Sequence, residues 1–411
     1  RGEAAREFAA LGVTPPAEDY EFCSYSALAS RVKRTPTAAV LRSHNPLVIL
    51  DECHVMRNMR KTYDAVQQLL RSNARTATLY SSATVMSDVK HVQYLPLATT
   101  VTSAPGATFD SEDDFKRALS TGGAPFLELF CMHLKGRGMY CARQLSAAGV
   151  GIATLTVRPS APHRRLYDAV VAHLREEHTG VGAYRILQRL LVTFKLPEAI
   201  ALAKSQLAAG KQVIFTLYST GDAATQRAIH RGGAAPVPSA EDVLDADYDL
   251  PLDPVDALLD EFGASAVAEV TGRKQRFARA DARSPWYIER VPRGEAAAFQ
   301  RGEKRVAILS RAGGLGLSLN DTGSGPRHVI VLEFPWSCED FAQQMGRAHR
   351  ASNRTAPEYT IVATSMPCEQ RVLHSLFRRT LSMGALTKGD GYASDAVCLR
   401  DHAHLPTTAA T

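Results

Sequence analysis

The sequence predicts an α/β protein with parallel β-sheets flanked by helices. Three observations carry that expectation. Apolar runs of strand length alternate along the chain with segments of helical periodicity. One run, Leu47–Asp51 within "NPLVILDECHVMRN", ends in a pair of carboxylates, at the strand tip where open α/β sheets put their ligands. The length of 411 residues exceeds one ordinary core and calls for two domains.

The strands are expected at Leu47–Asp51, Ala77–Ser81, Gly151–Val157, Gln212–Leu217, Ala266–Val270, Val306–Leu309, His328–Leu332 and Tyr359–Val362. The first of them is expected to bury Leu47 to Leu50. Among the helices, "HRRLYDAVVAHLREE" sets Leu166, Val170 and Leu174 four residues apart on one face. The "SAP" at Ser160–Pro162 breaks the chain just before it, which places the domain junction near residue 158. The domains are therefore 1–157 and 158–390, with a loose tail over 391–411. No repeat recurs at a fixed period.

Hydrophobic content of 45% and charged content of 22% are those of a soluble globular protein. No apolar run approaches the length needed to cross a bilayer, so no membrane partner is expected, and "RGEAAREFAA" lacks a signal-peptide core. The 7 cysteines form no C-x-x-C pair. That argues against a zinc site and a disulfide framework, and for an intracellular setting, nuclear in a eukaryote and otherwise cytoplasmic.

Net charge is +6, but it is unevenly spread. Between Gly232 and Gly272 stand Glu241, Asp242, Asp245, Asp247, Asp249, Asp253, Asp256, Asp260, Glu261 and Glu269, and no Lys or Arg. The region near 232–262 reads as an acidic insertion on the second domain, flexible or only partly folded. The remaining body is strongly basic and suits a polyanion such as nucleic acid, or simply a soluble surface.

Four constellations could carry chemistry. In the first, Asp51 can hold magnesium through water while Glu52 polarises an attacking water, although acid pairs after strands are also common solvated turns. The second is "LYSSATVM", where Ser82 and Thr84 follow a strand that fits beside the first and can hydrogen-bond the acid pair; an ordinary Ser/Thr turn has the same letters. The third, "AILSRAGGLGLSLND", offers Gly313, Gly314 and Gly316, whose lack of Cβ lets backbone approach a phosphate or another chain. The fourth, "FAQQMGRAHRAS", spaces Gln343, Gly346, Arg347 and Arg350 so that two guanidinium forks lie on one helical face or a short turn. Such forks pair phosphate oxygens and stabilise charge on a transferred phosphoryl group, unless they serve only as a basic surface. Cys53 and His54 lack ligand-like neighbours in sequence, which argues against a metal site there.

The order of these elements resembles superfamily two helicases. That resemblance implies two RecA-like domains that clamp ATP and bind a nucleic-acid strand, with Asp51 for Mg2+, Glu52 as general base, Gln343, Gly346 and Gly316 at the nucleotide, Arg347 and Arg350 at the phosphates, and Ser82 and Thr84 as coupling residues. The chain further resembles the strawberry notch family of helicase-like proteins. The segments "FCSYSAL", "GRGMYCARQLS", "STGDA", "VAEVTGRKQR", "LEFPWS", "APEY" and "LSMGALTKGD" carry that likeness from about Tyr20 to Asp390. It implies an ATP-dependent protein acting on DNA more than RNA, with chromatin or transcription proteins as partners.

One departure stands out: no Gly-x-x-x-x-Gly-Lys-Ser/Thr occurs in these residues, and Gly210-Lys211 is followed by Gln212 ahead of a strand. The first RecA-like domain is thus expected to be incomplete, lacking its P-loop segment. Either the chain is a piece of a longer protein, which Arg1 in place of methionine favours, or the product lacks the loop and is an inactive nucleic-acid-binding scaffold.

Overall fold

The computed structural model describes residues 21–34, 45–57, 59–82, 109–141, 149–177, 181–233, 235–236, 252–281, 283–311, 313, 317–335, 337–350 and 352–388. The chain divides into two compact units between His133 and Leu134.

In the first unit, α1 (Tyr25–Arg34) packs on α2 (Arg60–Arg71), and β1 (Leu47–Leu50) pairs in parallel with β2 (Ala77–Tyr80). Helix α2 turns Thr62, Ala65 and Val66 inward, the i, i+3, i+4 stripe of an amphipathic helix. The register sets Leu50 opposite Tyr80, so both strands end together. The expectation that β1 buries all four residues is not met. Leu50 is buried, but Leu47 and Ile49, which share a face, are 63% and 54% exposed. Helix α3 (Glu112–Gly136) begins where the Ser111 hydroxyl accepts the Asp114 N–H at 3.1 Å, and it kinks at Gly123, whose φ of 57° a residue with a Cβ rarely adopts. Phe115 anchors it by packing edge-on to Phe109 at 5.3 Å and against Phe130 at 5.0 Å.

In the second unit, β3 (Gly151–Val157), β4 (Gln212–Leu217), β5 (Val267–Val270), β8 (Val306–Ser310), β9 (Arg327–Val331) and β10 (Glu358–Thr364) form one parallel sheet. Its order is β3-β10-β9-β4-β8-β5. The strands are apolar on both faces because both are covered. Ile214, Ala268, Leu309, Val329, Val331 and Ile361 face one core, shared with α8 (Glu295–Gln300), α9 (Cys338–Met345) and α10 (Pro367–Lys388). Val213, Phe215, Val267, Ile308, Ile330 and Val362 face the other, shared with α5 (Val181–Ala208) and α7 (Pro254–Phe262). Each such fully buried aliphatic side chain contributes about 2 kcal/mol. Helix α4 (Ala161–Glu177) packs on α5 through Leu166, Val170 and Leu174, the stripe expected from its spacing. Completing the described elements are α6 (Asp222–His230) and an antiparallel hairpin of β6 (Gln275–Ala278) and β7 (Tyr287–Arg290).

The α/β class with a parallel sheet flanked by helices, as in a RecA-like domain, is therefore the observed one. Two features differ from expectation. Strand β3 pairs with β10, so residues 151–157 belong to the second unit and the junction expected near 158 falls upstream of them. The acidic stretch is not a solvated insertion where it is described. Asp253 caps α7 by accepting from Val255 N, Pro254 fills the first helical position, and Asp253 and Asp256 are buried. Its acids are paired: Asp253 with Arg189, Asp256 and Glu269 with Arg273, Asp260 with Arg279, and Glu261 with Lys204. The charge split is correspondingly smaller than composition suggests. Residues 237–251 and the tail over 391–411 lie outside the described residues.

Candidate functional site

In the first unit the acid pair sits where β1 ends. Asp51 and Glu52 are exposed and form the turn that leads into a 3₁₀ helix (Cys53–Arg57), in which Cys53 is fully buried. Glu52 has φ of 48°, the one non-glycine residue among the described residues with a left-handed backbone. Such a conformation costs a residue with a Cβ roughly 1–2 kcal/mol and persists only where neighbours impose it. Here the neighbours are identifiable. The Cys53 N–H donates to Ser81 O at 3.0 Å, and the Ser81 N–H donates to Leu50 O at 3.0 Å, tying the turn to the end of β2. From α1 the Tyr25 hydroxyl donates to Asp51 O at 2.8 Å. Burial, and then the nearby Cys53, Asp51 and Glu52, push the Tyr25 phenol up, so it stays a donor.

Hydroxyls from β2 reach this turn. The Ser81 hydroxyl donates to Asp51 Oδ1 at 3.4 Å, a long contact, and Ser82 Oγ lies 2.9 Å from His54 Nδ1. His54 Nδ1 is also 3.1 Å from Glu52 Oε2. Acid pair and serines, expected as neighbours, thus meet through Ser81 directly and through Ser82 by way of His54. Weighed from sequence only as a metal ligand, His54 makes these two contacts because the fold brings Glu52 and Ser82 to it. Thr84 lies outside the described residues. Among the described residues no cluster of three His, Cys, Asp or Glu could hold a metal ion. Magnesium does not require one, since it keeps several waters and takes one or two carboxylates. An exposed Asp51 carboxylate fits that role.

In the second unit, Ser337 caps α9 by accepting the Asp340 N–H at 3.0 Å, and Glu339 and Asp340 favour its positive end. Gln343 lies in the helix, and Gly346 ends it with φ of −63°. A Cβ on Gly346 would sit 3.2 Å from Ala342 O, closer than most side chains tolerate. Arg347 and Arg350 fall on the turn that follows. The Arg347 guanidinium donates to Leu317 O at 2.9 Å, and its carbonyl accepts from Leu319 N at 2.8 Å. Arg350 is exposed; its backbone N–H is held by Asn353 Oδ1 at 2.9 Å, and its guanidinium has no partner among the described residues. The two arginines therefore differ: one is tied to the Leu317 carbonyl, and the other is exposed to solvent.

Gly316 and Gly314 lie outside the described residues. Gly313 is described, and it meets a chain rather than open space. A Cβ there would lie 2.2 Å from Val270 O and 2.7 Å from Thr271 N. Its role is the close approach of this turn to the end of β5.

Three polar residues at the C-terminal ends of adjacent strands were not singled out from sequence. Glu333, just past β9, is buried and accepts the Tyr218 and Ser219 N–H groups past β4, each at 2.7 Å. Burial pushes its carboxyl up, against those two amides. Arg311, past β8, donates to the Tyr218 hydroxyl at 2.6 Å and pairs with Asp340 at 3.3 Å. The signal was present in "VIVLEF", an acid ending an apolar strand like Asp51.

Comparison with known proteins fits this arrangement. Residues 20–169 match the family model described as P-loop containing NTP hydrolase pore-1, and residues 253–406 match that described as the C-terminal domain on strawberry notch homologues. The chain is 25% identical to rat protein strawberry notch homolog 1 over 512 aligned positions, covering 85% of this chain and 40% of that protein. It is 23% identical to Arabidopsis protein FORGETTER 1, covering 84% and 42%. Against Drosophila protein strawberry notch it is 37% identical over 160 positions, covering 36% and 10%. The chain thus spans about two fifths of the length of these first two relatives. The C-terminal domain model covers β5, β8, β9, β10 and α9, and the hydrolase model covers the acid pair, so this helicase-like chain is similar to the strawberry notch proteins over most of its length.

Proposed function

We propose that the chain serves a nucleic-acid-dependent ATPase that uses Mg2+. The observation that carries this reading is the left-handed backbone of Glu52, an exposed carboxylate held in a strained turn beside Asp51 at a strand tip. Bound magnesium, in such a reaction, neutralises charge on the phosphate oxygens. Asp51 would hold the ion through water, with its turn fixed by Tyr25 and Ser81. Glu52 would take the proton of the attacking water, and His54 would orient that carboxylate and report its state to Ser82. Arg350 would pair with phosphate oxygens, supported by the turn that Arg347 pins. The family resemblance supports DNA rather than RNA as the polymer, chromatin or transcription proteins as partners, and an intracellular, in eukaryotes nuclear, location.

The test is ATP turnover by the full-length product, with and without single- and double-stranded DNA. Nucleic acid should accelerate turnover, and Glu52→Gln should abolish it while leaving nucleotide binding intact. Normal turnover by Glu52→Gln would overturn the assignment. The competing reading is a nucleic-acid-binding scaffold that turns over no nucleotide. It expects DNA binding with no ATP hydrolysis above background.

A further inference from the structure

We propose that the β6–β7 hairpin is a contact for single-stranded nucleic acid. Tyr287 would serve as a stacking platform, and Lys274, Arg283, Arg290 and Arg293 as phosphate partners. The proposal rests on the nucleic-acid reading above and names a surface for it.

The hairpin is fixed from beneath. Arg276, 2% exposed, binds Glu289 across the hairpin at 2.7 Å, Glu269 at 3.3 Å and Ala264 O at 3.1 Å. Phe277 and Ala278 of β6 are buried, and β6 packs on α7. Arg279 pairs with Asp260 and lies over the Trp286 ring at 4.4 Å. On this rigid base the outer strand turns apolar side chains outward, with Tyr287 50% and Ile288 42% exposed.

The charge around that outer strand is uncompensated. Lys274, Arg283, Arg290 and Arg293 are exposed, and among the described residues their side chains have no hydrogen bond or ion pair. The carboxylates of the hairpin are already engaged. Asp281 accepts from the Arg283 and Ser284 N–H groups, and Glu289 holds Arg276. Elsewhere in this unit Arg189, Lys195, Arg273 and Lys304 are each bound to an acid. Protecting an edge strand from aggregation needs a charge or two but no exposed ring beside them. An unpaired cation set around an aromatic face is what a single strand recognises, phosphates on the guanidiniums and a base on the ring. From Tyr287 to Arg290 the strand spans about 10 Å. An acidic peptide would match the charges but would leave the ring unused.

The experiment is fluorescence anisotropy of a labelled oligothymidylate of about 20 nucleotides, longer than most single-strand site sizes, titrated with the chain across a salt series. Arg283→Ala/Arg290→Ala/Arg293→Ala should weaken binding and reduce the slope of log affinity on log salt by about 2, at about 0.7 for each phosphate no longer neutralised. Tyr287→Ala should weaken binding about tenfold with the slope unchanged, and Tyr287→Phe should restore it. Circular dichroism should be unaltered, because all four side chains are exposed. If the wild type binds the oligonucleotide and both alanine variants bind as tightly, the hairpin proposal alone is overturned. Should the wild type prefer a polyglutamate peptide, or bind neither oligothymidylate nor oligouridylate, the proposal fails together with the nucleic-acid reading.

Discussion

His54 Nδ1 lies 2.9 Å from Ser82 Oγ, so the turn after β1 and the exit of β2 share a side-chain contact. The same nitrogen is 3.1 Å from the Glu52 carboxylate. Carrying a proton it donates to an oxygen acceptor, and without one it accepts from the Ser82 hydroxyl. On the proposed reading, a change at Ser82 would reach Glu52 through the imidazole.

Turnover tests that relay. Ser82→Ala and His54→Ala should each lower kcat about tenfold, with nucleotide affinity little altered. The double variant should be no slower than the worse single one, because residues acting as one unit are non-additive. Rate reductions that simply multiply would mean the two act separately, and the relay would be wrong.

Buried charge gives a second prediction. Arg273 is 4% exposed and binds Asp256 and Glu269, each at 2.7 Å. Arg273→Met leaves the buried Asp256 without its cation and Glu269 with Arg276 alone, and should cost about 3–5 kcal/mol in denaturant unfolding. Arg273→Lys should recover only part of that stability, since a point charge cannot span both acids.

This network also shows where sequence reading stops. The six strands of the larger sheet were legible because buried strands read as apolar runs between breakers, and β1 and β2 were legible from their apolar letters although most of their residues are exposed or half-buried. The hairpin was not, because "QRFA" and "YIER" are short and mix charge with apolar residues; β6 is buried only because Arg276 finds Glu269 and Glu289. Asp253 and Asp256 looked solvated for the same reason, since their partners Arg189 and Arg273 lie 64 and 17 residues away. Of the candidate site, the placement of the acid pair at a strand end was legible, while the different surroundings of Arg347 and Arg350 depend on which carbonyl a turn brings close.

The pH dependence of stability should carry the mark of Asp256. Burial pushes its carboxyl up to about 6, with Arg273 pulling the other way, against an ordinary value of 3.8. Because the folded form holds that proton more tightly, the associated stability is complete below about pH 4 and is lost as pH rises through about 6. Asp256→Asn removes this titration. The stability of the wild type relative to the Asn variant should therefore fall between about pH 4 and 6, by up to about 3 kcal/mol. Denaturant curves on either side of that window, at about pH 4 and about pH 7, would show it. A difference that grows with pH would reverse the sign and place an ionised Asp256 among the stabilising charges.

Gly313 separates a structural glycine from a phosphate-binding one. An added Cβ would lie 2.2 Å from Val270 O and 2.5 Å from Val270 C, both backbone atoms at the end of β5. Backbone cannot swing aside as a long side chain does, so β5 or the turn after β8 must move. Gly313→Ala should cost about 1–3 kcal/mol, the usual penalty of overpacking, in thermal or denaturant unfolding without any ligand. Gly136→Ala is the control, because nothing lies within 4 Å of a Cβ at that helical position. It should be neutral or slightly stabilising. A Gly313→Ala variant as stable as wild type but impaired only in nucleotide turnover would instead assign this turn to the ligand.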